Sequence, residues 1–470
     1  MAITTTVANT LGRLLGYLRT WQNPDGLFGG TIATWWNSTL ETAVPHPMNH
    51  FPMILGFLEL HRGGVRLGGE TGVGGGDWLA EARRVGDGLV ASILPDGMLR
   101  NAWGDIPRRR TGTVHFAAPA LALAELHADS REDRHLDGAR RLLKTIETRW
   151  MMGRINYDGV ANQGLKWCEA MLAYARETGE RQYFDHAVWL ARKTLDLQIR
   201  HGPCAGAIYQ SRGDQHLISV YQGKCLAPLV RLYEATDDAT FLDAAERLAK
   251  FLLERQAPQG VFINYLEPQG TLYWLTCQAF VRFDYRIFRR RVPMYRLWQP
   301  LIRGWHEIPY PSFIARAGDS LRGLWLLSKH KPEFGEAALR LTERLLAYQL
   351  PHGGIPNTVG YYGDAGREDW QDVCCPTRWN VYAFLLLATL ARDLGCTQVA
   401  EVPCPADPFE RPVGPERKGR FRETRDGVEY FLNNELIARL SKPSGASSYL
   451  ADGWDDDLTG PRNRANMGLP

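Results

Sequence analysis

A five-residue template recurs four times in this 470-residue chain: an apolar residue or Gln, any residue, Pro, any residue, then Gly. Its copies are Gln22-Asn23-Pro24-Asp25-Gly26, Ile93-Leu94-Pro95-Asp96-Gly97, Gln256-Ala257-Pro258-Gln259-Gly260 and Gln349-Leu350-Pro351-His352-Gly353. Each follows an amphipathic run. Proline cannot continue a helical hydrogen-bond ladder and glycine accepts the left-handed turn beyond it, so each copy marks a helix end. The preceding runs also align. Phe184 to Ala191 matches Leu242 to Ala249, an offset that carries Gln198 onto Gln256, and Leu136 to Leu142 and Gly335 to Leu341 read as further copies. These runs are outer helices.

Between them lie runs that are apolar on most faces: 50–61, 115–127, 163–177, 222–236, 272–287, 313–328 and 378–392. Such runs are helices buried nearly all round, the inner helices. Alternation at intervals of roughly 45–70 residues describes helical hairpins, and a repeat of that length makes a solenoid or a closed toroid. Closure is expected, because an open solenoid leaves one face of each inner helix in water. The fold class is therefore all-α, an (α/α)6 or (α/α)7 toroid of hairpins. Seven would count 272–287, whose only outer partner is the short stretch 296–305.

Length alone would allow two or three domains, but the repeat overrides it. One toroid is expected over 1–400 and a polar C-terminal extension over 401–470, after the proline-rich exit Val402 to Pro408. Within that extension only Val428 to Leu440 looks able to pack, as a strand pair or a short helix. A formal net charge of +3, with no basic run longer than Arg108-Arg109-Arg110 or Arg289-Arg290-Arg291, gives no reason to expect nucleic acid or an anionic membrane as partner. The N-terminal residues lack a basic segment followed by an apolar core, and no run approaches the ~18 apolar residues of a membrane span, so a cytoplasmic location is the expectation. The eight cysteines read as small buried hydrophobes in a reducing compartment.

The connections from outer to inner helices are long and carry aromatic and polar residues, whereas those from inner back to outer are short and plain. Chemistry is expected at the former. Trp35, Trp36, Asn49, Trp103, Asn162, Tyr221, Gln222, Arg316, Arg378, Trp379 and Asn380 are candidate substrate-binding residues, because aromatic faces with amide and guanidinium groups suit sugars. Four candidates carry catalysis. His50 and His115 occupy equivalent places in the first two hairpins and titrate near working pH. Arg316-x-x-Asp319 points two charges to one face of an apolar helix, where a carboxylate is costly unless paired or used. Asp158 lies in Asn156-Tyr157-Asp158-Gly159, which also reads as a turn.

Helical hairpins with Asp-Gly or Pro-x-Gly turns, aromatic connections and polar groups at inner-helix starts resemble the six-hairpin toroid superfamily of carbohydrate-active enzymes. That superfamily holds glycoside hydrolases, sugar epimerases and polysaccharide lyases. The resemblance implies an oligosaccharide substrate and no cofactor, with a glycoside hydrolase as first expectation and a lyase or epimerase as alternative. Hydrolysis uses two carboxyl groups across the scissile bond, and Asp105, Asp158, Asp319, Glu368, Asp369 and Asp372 offer several pairs without a choice between them. Gln22-x-x-x-Gly26-x-Phe28 and Gln256-x-x-x-Gly260-x-Phe262 are similar to the Gln-Trp repeats of squalene and related terpene cyclases, but the D-x-D-D motif of that group is absent. Cys374-Cys375-Pro376 resembles a segment of zinc-dependent arabinofuranosidases, whose Glu-x-Cys partner appears here only as the reversed Cys168-Glu169, so no metal is expected. A non-catalytic helical scaffold predicts plain, weakly polar connections, which this inventory argues against.

Overall fold

The computed structural model describes residues 2–22, 26–28, 30–33, 39–42, 47–68, 77–101, 104–105, 113–148, 160–211, 214–268, 304–360, 375–404, 419–424, 427–432 and 435–441. They fall into two compact units, the first comprising 1–145, 346–357 and 367–470, the second 146–345 and 358–366. Along the chain outer and inner helices alternate, six of each among the described residues when an interrupted inner helix is counted once. The expected seventh inner helix, 272–287, lies outside the described residues.

The first unit holds outer helices α1 (Ala2–Arg19), α3 (Trp78–Ala91) and α5 (Asp133–Ile146, nearly all of it). Its inner helices are α2 (Pro47–Arg62), α4 (Val114–Ser130) and α13 (Thr377–Asp393). The inner helices are apolar for the expected reason: every residue from Thr377 to Ala391 is buried. Helix α2 packs between α13 and α4. Gly56 makes the first contact possible, since a Cβ there would lie 2.5 Å from the ring of Phe384. Phe57 then stacks on Trp78 at 5.8 Å and meets Phe384 edge-on at 5.4 Å. Glu59, inside this apolar contact, pairs with Arg392.

Strands Gly30–Ala33 and Thr39–Thr42 form a five-stranded sheet with Gly419–Thr424, Gly427–Leu432 and Glu435–Ser441. The segment expected to pack as a strand pair or short helix is thus two antiparallel strands of a three-strand run.

The second unit holds outer helices α7 (Arg181–Leu195), α10 (Ala239–Leu253) and α12 (Gly335–Leu346). Its inner helices are α6 (Ala161–Thr178), the pair α8 (Ser219–Lys224) and α9 (Leu226–Thr236), and α11 (Gly318–Ser328). Two inner helices differ from expectation. The run expected at 222–236 starts three residues earlier and breaks at Cys225, because Pro228 has no N–H to give Lys224 and the ladder is interrupted there. The run expected from 313 begins instead as a strand, Ser312–Phe313, paired with Thr358–Val359, followed by a 3-10 turn, Ala315–Ala317, before α11.

The template turns recur as geometry. Gly26, Gly97, Gly260 and Gly353 all take positive φ, and the residue two beyond each of the first three pairs back across the turn, as in Gln22 with Phe28. The glutamine holds the turn shut: Gln22 and Gln349 donate from Nε2 to the carbonyls of Gly26 and Gly353 at 3.0 and 2.9 Å, and Gln198 does so to Gly206 across a longer turn at 2.9 Å. An arginine of the next outer helix then caps the turn. Arg141 reaches Leu94 O at 2.9 Å, Arg344 reaches Pro258 O, and Arg13 of the first helix reaches Leu350 O at 2.9 Å.

Candidate functional site

The amides that open the inner helices divide into two kinds. Gln222 accepts from Ile208 N at 2.7 Å and donates to Ile208 O at 2.6 Å. Asn380 accepts from Ile355 N at 2.8 Å and donates to Ile355 O and Pro376 O. Asn49 donates to Phe28 O at 3.3 Å, the equivalent position of the first turn. These side chains tie the stretch after three of the outer-helix turns to the inner helix that follows. The amides of Gln222 and Asn380, expected as substrate-binding residues, are committed to main chain in the core. Sequence did not show this, since their partners are backbone groups common to every residue.

A second kind is buried and uncommitted. In the second unit, Asn162 at the start of α6, Gln215 and Ser219 around the start of α8, Asn264 beside them and Ser320 in α11 carry side-chain oxygens with no hydrogen-bond partner among the described residues. Ser219 and Asn264 are tied together through Ser219 N and Asn264 O at 3.1 Å. Asp319, second residue of α11 and 4% exposed, makes no hydrogen bond or ion pair among the described residues. The Arg316–Asp319 pairing expected from their spacing is not formed. Arg316 sits in the 3-10 turn ahead of the helix, and its guanidinium lies over the Phe313 ring at 5.2 Å.

Charge surrounds this group. Lys166 and Glu169, both buried on α6, pair at 2.6 Å. The Cys225 thiol is pushed well up by burial and by the nearby Asp319 carboxylate, against the opposing Lys166 and Lys224. Asp319, Lys166 and Lys224 all act electrostatically on that one thiol. Tyr221 is buried there too, with Lys224 Nζ 5.6 Å from its ring centre. Lys166, Lys224, Gln215 and Ser219 were not singled out in the sequence. A lysine and a glutamate one turn apart in a buried inner helix were the available signal for Lys166.

In the first unit the inner-helix starts carry His50, His115, Arg378 and Trp379, all buried. Burial holds the His50 imidazole neutral, its pKa lowered to about 3, with the Phe28 carbonyl opposing. Trp379 stacks on Tyr382 at 5.8 Å with Arg378 over its ring at 5.2 Å. Trp35, Trp36, Trp103, Asp158, Glu368, Asp369, Asp372 and Cys374 lie outside the described residues, as does the side chain of Asp105.

Among the described residues one group brings three potential metal ligands within 4.8 Å of one another: Asp87, Glu132 and His135. Its carboxylates are already neutralised. Arg134 Nε lies 2.8 Å from Asp87 and Arg83 Nε 3.1 Å from Glu132, while His135 is held by Ser130 Oγ at 3.1 Å. The arrangement is a salt-bridge network that joins α3 to α5. No helix among the described residues is long and apolar enough to cross a membrane.

A crystal structure of a sugar epimerase from a ruminal bacterium aligns over 83% of this chain and 99% of its own, with a TM-score of 0.58 at 13% identity. A D-mannose isomerase aligns over 83% and 99% with a TM-score of 0.55 at 12% identity. An unsaturated glucuronyl hydrolase specific for heparin aligns over 83% and 97% with a TM-score of 0.52, also at 12% identity. The chain has the (α/α)6 toroid fold. No protein-family model matches it, and no curated protein does. In a toroid of alternating helices the inner-helix starts share one end, and the uncommitted acceptors of the second unit all belong to that end.

Proposed function

We propose that this toroid is a carbohydrate-active enzyme, a glycoside hydrolase acting on an oligosaccharide at the inner-helix starts. One observation carries the reading. The amide oxygens of Asn162, Gln215 and Asn264 are buried acceptors without a described donor, and the buried carboxylate of Asp319 makes no hydrogen bond or ion pair among the described residues. Buried polar groups in folded proteins are almost always paired, so acceptors left without a donor point to a ligand that supplies the partners. Acceptors want O–H donors, and a sugar presents several at once. Asp319 is one of the two carboxyl groups that hydrolysis requires, and Asp158 is the candidate for the other.

Epimerisation or elimination is the second reading, supported by the epimerase and isomerase that share the fold. Incubation with neutral and uronic-acid oligosaccharides, recording reducing ends, the ultraviolet absorbance of unsaturated uronate and the configuration of recovered sugars, separates the reactions. New reducing ends without absorbance support hydrolysis. Altered configuration with no bond cleaved would replace hydrolysis by epimerisation, and silence across the panel would sink the carbohydrate reading.

A further inference from the structure

Helix α7 carries a groove on its outer side that no part of the proposed reaction uses. It has a volume of about 830 Å3 and runs along α7 to the α9–α10 connection. Residues 181, 184, 185, 188, 189, 192 and 193 of α7, with Asp196 just beyond its end, line it along one side of the helix, a stripe of about 22 Å. Within it Trp189 is 49% exposed, and among the described residues the only other exposed large hydrophobic side chain is Val402. The indole neighbours His186, ring centres 5.8 Å apart and tilted by 44°, and His186 is in turn set edge-on against Trp167 at 5.3 Å. Trp189 is therefore a positioned aromatic face.

The polar lining is balanced. Arg181, Arg192 and Lys193 face Asp185, Asp196 and Asp238, three charges of each sign. Two pairs are closed, Arg181 with Asp185 at 2.9 Å and Arg192 with Asp238 at 3.0 Å, and both arginines are largely exposed, so the pairs fix side-chain positions more than they stabilise. A balanced lining gives an anionic ligand no advantage. A protein partner needs roughly 800 Å2 of surface per side with an apolar centre, and a single exposed indole among ion pairs does not supply it. A neutral sugar chain fits each element: its C–H faces stack on an indole, and its hydroxyls both donate to carboxylates and accept from guanidinium groups.

We infer that the α7 groove is a second saccharide-binding site, separate from the inner-helix starts, that holds a stretch of neutral polysaccharide on Trp189. It shares only the ligand class with the proposed reaction, and binding is measured here without turnover. In affinity electrophoresis through gels containing yeast mannan, hydroxyethylcellulose or galactomannan, the wild-type protein should be retarded on at least one, and Trp189→Ala should weaken that binding about tenfold. Trp189→Phe, which keeps a stacking face, should restore part of it. Both variants should retain wild-type turnover of any short oligosaccharide the enzyme processes. Lack of retardation of the wild type, or equal retardation of Trp189→Ala, would overturn the proposal. So would binding confined to heparin gels, or a wild-type dimer in light scattering that Trp189→Ala converts to monomer. Loss of turnover on short substrates in Trp189→Ala would merge the groove with the catalytic site and also overturn it. Failure of the carbohydrate reaction alone leaves the gel result standing.

Discussion

Gln349 donates from Nε2 to the backbone carbonyl of Thr10 at 3.0 Å, joining positions 339 apart in sequence. The same amide nitrogen holds the carbonyl of Gly353, and Arg13 of α1 reaches back to Leu350 and Pro351. Gln198 treats Gly206 and Ala244 of α10 in the same way. The turn after the last outer helix is thus seated on the first outer helix by the contacts that seat an earlier turn on its successor.

Gly353→Ala should be among the most damaging single-methyl changes in the protein. Its φ is +95°, and a Cβ would lie 2.1 Å from Arg13 O, so strain and clash combine. Chemical denaturation should show a loss of about 3 kcal/mol or more. Gly64→Ala is the control: φ is +60° with no atom within 4 Å of the new Cβ, so only the left-handed cost of about 1–2 kcal/mol applies. Equal losses in the two variants would remove the seating of the turn from the account.

Asn380→Ala should destabilise without altering substrate affinity. It strands the N–H and C=O of Ile355 in the core, each worth about 1–3 kcal/mol, so urea unfolding should show a loss of about 2–4 kcal/mol. A rise in KM with unchanged stability would return Asn380 to the substrate-binding residues.

Asp319→Asn should cut turnover at least about a hundredfold while leaving the melting temperature unchanged or raised. The carboxylate has no described partner, so replacing it with its neutral isostere breaks no observed contact and removes the cost of a buried charge. A strongly destabilised variant would assign Asp319 to the fold. A stable, fully active one would remove it from catalysis.

His50 should make stability fall with acidity. Its folded pKa of about 3 lies below the ordinary 6.5, so the unfolded chain takes a proton that the folded one refuses. The full contribution is present above pH 6.5 and is lost as pH falls toward 3, at about 1.4 kcal/mol per pH unit. Urea titrations between pH 7 and 4 should therefore show the wild type losing stability faster than His50→Gln. Parallel slopes would mean that His50 takes up its proton in the folded protein too.

The hairpins were legible because proline and glycine act through the backbone, where their effect is the same in every repeat. The interruption at Cys225 was legible in principle from Pro228, which removes one rung, but the apolar run around it hid the break. Arg316 and Asp319 were placed on one helical face because a regular α-helix was assumed through 313, whereas the strand at Ser312–Phe313 uses up the first turn. The place of two candidates in the fold was legible: Asn162 and Asp319 occupy inner-helix starts. Which amides clamp the backbone and which remain uncommitted was not, because Gln222 and Gln215 differ only in what tertiary packing brings beside them.

The docking of the Gln349–Gly353 turn on α1 also fixes arithmetic. In an open array a duplicated hairpin can be appended at an end, and a lost one leaves the remainder intact. Here the terminal turn already has its seat, shaped by the Arg13 carbonyl and by Thr10, so an added or deleted repeat would leave a glycine turn facing a helix cut for another neighbour. Variation in this lineage should therefore accumulate as insertions within connections, while the number of hairpins stays constant.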